Sequence, residues 1–116
     1  MRDIHRLLKP EGRTFNQFDL TDHISKYDPK AHPKNYLRFT DKEWAIIGND
    51  VQYINRIQAD EWAELFSEAG FLGDLFDPIL NIPVDTLPIA PRFAQTSPKD
   101  LECGYLVMVH QKAPIQ

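Results

Sequence analysis

A small α/β domain, three strands with flanking helices, is the fold this sequence predicts, and three stretches predict it. From Arg2 to His23 a helix, a Pro-Gly turn and a strand follow one another. From Glu61 to Phe76 an amphipathic helix runs through Gly70 into a second strand. From Tyr105 to Val109 an unbroken apolar run, partly β-branched, marks a buried third strand. A helix-turn-strand unit ending in acids belongs to an α/β sheet, whose ligands lie outside the carboxyl ends of the strands.

In the first stretch, Ile4, Leu7 and Leu8 stand at i, i+3 and i+4, one face of a helix. Pro10 ends it, because proline disfavours helical geometry at Lys9 and has no N–H to give. Gly12 is expected to supply the backbone angles of the turn. Arg13–Leu20 is the strand, delivering Asp19, Asp22 and His23 at its far end.

Ile24 to Phe39 holds Pro29, Pro33, scattered Lys and Arg, and two tyrosines without a period, which reads as a surface loop. Thr40-Asp41-Lys42-Glu43 is a capping box opening a short helix that buries Trp44 and Ile47 and closes at Gly48. Val51 to Ile57 alternates weakly and is expected to be extended. Asp60 caps the helix Glu61–Ala69, in which Trp62, Leu65, Phe66 and Ala69 form one apolar stripe. Gly70 stops it, and Phe71–Phe76 is a strand. From Asp77 to Pro98 the prolines predict an ordered connection or a short broken helix. Ser97-Pro98-Lys99-Asp100 reads as a capped first turn.

At 116 residues this is one domain with a modest core. A net charge of −4 offers no basic footprint for nucleic acid. The single Cys103 cannot form an internal disulfide, no apolar run spans a bilayer, and Asp3, His5 and Arg6 interrupt any signal-peptide core. The expectation is a cytoplasmic protein with no membrane or nucleic-acid partner.

Leu7-Leu8-Lys9-Pro10-Glu11-Gly12 resembles the Leu-Leu-Lys-Pro-Gly-Gly segment before the fifth strand of class I S-adenosylmethionine-dependent methyltransferases. Asp19-Leu20-Thr21-Asp22-His23 is similar to the strand exit in one branch of that family, and Glu68-Ala69-Gly70-Phe71 to its junction before the sixth strand. The resemblance implies the C-terminal, substrate-side half of a Rossmann-like domain. Its small sheet would be mixed, the last strand inserted antiparallel between the other two. It also implies a missing N-terminal half. The family's cofactor site needs a Gly-rich turn, and Gly12, Gly48, Gly70, Gly73 and Gly104 include no Gly-x-Gly pair. S-adenosylmethionine is therefore implied for the full family domain and not for this chain alone, which would be inactive by itself.

The candidate substrate-side residues are Asp22, His23, Tyr53, Asn55 and Arg56. Asp22 beside His23 could serve as a general base, or Asp22 could cap a turn while His23 is solvated. Tyr53-x-Asn55-Arg56 resembles a family insertion over the substrate; Arg56 could clamp an anion, or pair with Asp60 or Glu61 on the surface. His5, His32 and His110 lack a second ligand at metal spacing, so no metal site is expected. The alternative function is a non-catalytic α/β module that binds partners or itself. An unpaired edge at strand 13–20 would favour a homodimer.

Overall fold

The computed structural model describes residues 2–47 and 55–114. Helix α1 (Arg2–Leu7) leads into strand β1 (Arg13–Asp19). Helices α2 (Asp41–Ile47) and α3 (Ala59–Glu68) follow, then strand β2 (Phe71–Asn81), the short helix α4 (Pro98–Leu101) and strand β3 (Cys103–Lys112). The sheet order is β1-β3-β2. The last strand lies in the middle as expected, but both hydrogen-bonded pairs are antiparallel, so the sheet is antiparallel throughout its ladders rather than mixed.

Cross-strand register sets two faces. Thr14 lies opposite His110, Asn16 opposite Met108 and Phe18 opposite Leu106 on the inner face, where α3 packs. Arg13, Phe15, Gln17 and Asp19 point outward, and Phe15 is 67% exposed. Phe66 from α3 is the centre of this sheet core: its ring stacks on His110 at 4.1 Å and meets Phe71 edge-on at 5.5 Å. Trp62 stacks on Phe18 at 4.4 Å.

A second core lies beside the first, built from Tyr36, Leu37, Val84, Ala90, Phe93 and Leu101. The segment expected to be a surface loop thus carries buried Lys34, Tyr36 and Leu37, which two 3-10 turns (His23–Lys26 and Asn35–Arg38) help to place. Ala90 N–H donates to Leu37 O at 2.8 Å, tying this segment to the proline-rich connection.

Other expectations shift for local reasons. Glu11, with φ of 63°, takes the left-handed position of the first turn; Gly12 is needed because a Cβ there would stand 2.8 Å from Lys9 O. Strand β2 runs on through Pro78 to Asn81, tolerable because an edge strand does not need every N–H. Gln58, not Asp60, precedes α3, and Glu61 reaches back to its N–H at 3.4 Å. Leu65 is 38% exposed, and Ile47 and Leu7 are exposed too. The Thr40–Glu43 box forms at 3.1 Å in both directions, and Ser97 accepts from Asp100 N–H. No described helix is long and apolar enough to cross a membrane.

Candidate functional site

The carboxyl end of β1 gathers two polar layers. In the outer one, Asp19 accepts hydrogen bonds from Thr21 N–H at 2.9 Å, the Thr21 hydroxyl, Lys26 Nζ at 2.9 Å and Tyr105 Oη at 3.1 Å. His23 Nε2 stands 3.9 Å from the same carboxylate. Tyr105 is there because register places it directly across from Asp19. Burial alone would raise the Asp19 carboxyl, but these donors outweigh it and hold its pKa at about 2. Asp19 is thus an acceptor and charge anchor at neutral pH, not a proton donor. Its bond to Lys26 raises that amine above the ordinary value.

The inner layer is closed. Asp22 is buried and caps the first 3-10 turn, its Oδ1 accepting from Ile24 N–H at 3.1 Å, while Oδ2 has no partner among the described residues. Lys34 is fully buried: Nζ donates to Gln58 Oε1 at 2.9 Å and Cys103 O at 3.0 Å, and lies 5.2 Å from the Tyr36 ring centre. Burial pulls its pKa down to about 8. Tyr36 Oη donates to Leu20 O at 2.6 Å and accepts from Gln58 Nε2 at 2.9 Å; burial pushes its phenol upward.

Arg56 sits in a left-handed backbone conformation, φ 60°, and is buried. Its guanidinium lies between Trp44 and Phe93, at 5.2 and 5.6 Å from the ring centres. One nitrogen donates to Phe39 O at 2.7 Å, the other to Asp41 at 2.6 Å, and Asp41 also takes Arg92 at 2.8 Å. Those donors are spent on holding α2 and the second core. Asn55 is exposed and its Oδ1 accepts from Ile57 N–H at 3.0 Å. Tyr53 lies outside the described residues.

Of the sequence candidates, Asp22 and His23 share the β1 exit, Asp22 facing inward and His23 outward. Arg56 meets the inner layer through its carbonyl, which accepts from Gln58 Nε2 at 3.1 Å. Sequence reasoning missed Lys34, Gln58 and Tyr105. Only the Asp19–Tyr105 link left a signal, since both end strands.

At the opposite end of the sheet, a groove of about 390 Å³ runs between α3 and β2, lined by Ser67, Gly73, Asp74, Phe76 and His110 among others. His110 is buried, which lowers its pKa, and its Nδ1 has no partner among the described residues. Among the described residues no group of His, Cys, Asp and Glu is arranged to hold a metal ion. Comparison with family models, curated proteins and solved structures finds no match for this chain.

Proposed function

We propose that this chain is the substrate-side half of a class I methyltransferase-like domain, not catalytic by itself. The observation that supports it is the strand order, β1-β3-β2 with the last strand antiparallel in the centre. In the complete fold, a further strand would lie along the outer edge of β1, and the Asp19 cluster would face the acceptor. The cofactor would be S-adenosylmethionine, held by the other half. Isothermal titration of S-adenosylmethionine into the isolated chain should show no binding, and a micromolar one-to-one isotherm would refute the half-domain reading. Reading frame sequence encoding a Gly-rich strand-turn-helix upstream, or on a co-purifying chain, is the positive expectation.

The second reading is a non-catalytic α/β module acting through self-association. It is favoured by the closed inner layer, where Lys34, Asp22 and Arg56 are turned to internal bonds, and by the regular outer edge of β1, which pairs with no further strand among the described residues.

A further inference from the structure

The sheet has two outer edges, and they differ. Strand β2 is irregular: its register shifts between Gly73 and Leu75, between Pro78 and Leu80, and again before Asn81. Bulges, a proline and the acids Asp74 and Asp77 are the devices that keep an edge from pairing. Strand β1 has no bulge and no proline, and its two charges, Arg13 and Asp19, stand at its ends. Its register with β3 is unbroken from Arg13 to Asp19, and Thr14 to Phe18 carries no charge.

The hydrogen-bond phase of β1 follows from the bonds that flank it. Lys112 N–H donates to Gly12 O, and Leu20 N–H donates to Gly104 O, both at 2.8 Å. Even-numbered residues therefore bond to β3. By alternation, the N–H and C=O groups of Arg13, Phe15, Gln17 and Asp19 point to the open edge. The side chains of these four residues all lie on the outer face.

Resting on the self-association reading, we infer that two copies pair antiparallel along β1 with the two-fold axis at Asn16. Three registers near the strand centre match the bonding phase. An axis at Phe15 sets Asp19 against Glu11 of the other copy, two like charges. An axis at Gln17 sets Asp19 against Phe15 and leaves Arg13 opposite Thr21. The axis at Asn16 sets Arg13 of each copy opposite Asp19 of the other, twice over, and Phe15 opposite Gln17. Opposite charges directly across a ladder stabilise it and like charges destabilise it. The exposed Phe15 rings become diagonal neighbours across the axis, within aromatic reach. The six-stranded sheet is isologous, with both α3 helices on one face.

In this arrangement the second copy completes the polar cluster at the β1 exit. Arg13, now bonded to Asp74 at 2.8 Å on its own chain, brings a guanidinium to the ring of Asp19, His23, Lys26 and Tyr105. The partner copy thus contributes a residue to the candidate site.

Light scattering at micromolar concentration should give twice the 13.5 kDa chain mass. In a Cys103→Ser background, Asn16→Cys should form an intermolecular disulfide on mild oxidation, because residues facing each other across the axis in a non-hydrogen-bonded pair stand about 4.5 Å apart at Cα. Phe15→Cys and Gln17→Cys report the other two registers and should cross-link far more slowly. Arg13→Glu, a change at an exposed position, should weaken the wild-type dimer on the order of tenfold. A dimer that cross-links fastest through Phe15→Cys or Gln17→Cys, or that ignores Arg13→Glu, overturns this register and leaves self-association standing. A monomer at all concentrations overturns both.

Discussion

The two cores bury comparable side chains by different means. The sheet core under α3 is periodic and almost wholly apolar: Phe66, Phe71, Leu106 and Met108 meet because helix and strand repeats bring them to one layer. The second core is made of irregular chain, where carbonyls have no ladder to satisfy them. Buried backbone groups must be paired, so side chains do it. Tyr36 and Lys34 donate across to Leu20 O and Cys103 O of the sheet core, Arg56 donates to Phe39 O, and His32 Nε2 sits 2.9 Å from Pro83 O. The difference teaches that polar residues buried beside a loop core are first of all substitutes for missing secondary structure.

The comparison can be broken most strongly at Phe66. Phe66→Ala should cost about 3–5 kcal/mol in chemical denaturation, the range for a large buried aromatic. A midpoint that barely moves would mean α3 is not docked on the sheet.

Next comes the buried amine. Lys34 carries its proton up to about pH 8 when folded, against an ordinary value of 10.5. The unfolded chain therefore binds more protons between those limits, and stability rises with pH across that window, by roughly 3 kcal/mol if nothing else titrates. Tyr36 and Cys103, whose pKa values are raised by burial, oppose this once they begin to ionise in the unfolded chain. The rise is best measured between pH 8 and 9, and Lys34→Met should abolish it. A flat profile in the wild type would show that Lys34 keeps its charge without penalty.

The smallest effect belongs to Arg56. Arg56→Met keeps the stem between Trp44 and Phe93 but leaves Phe39 O without its donor, so a loss of about 2 kcal/mol is expected. Asp41 stays largely exposed and suffers little. Loss of the whole fold on this change would mean that the second core holds the sheet in place.

Much of the frame was legible. The β1 and β3 runs, the Thr40–Glu43 box, the Ser97 cap and the stop at Gly70 all rest on contacts within a few residues, which spacing encodes directly. The site was less so. Asp22 and His23 could be placed at a strand exit, yet their opposite orientations depend on a 3-10 turn that no period announces. Leu65 belongs to the apolar stripe in sequence but lies at its rim, 38% exposed, which the helical period alone does not announce.

Sequence alone determined that three strands and an amphipathic helix would make a small sheet-and-helix layer, since side-chain periods of two and 3.6 act locally. Only the tertiary structure decided what becomes of residues without a period. Lys34 and Arg56 look like surface charges in sequence. Each is buried because distant carbonyls, at Cys103 and Phe39, needed a donor once the chain closed over them. That requirement exists between segments far apart in the chain, so no stretch of either segment could have shown it.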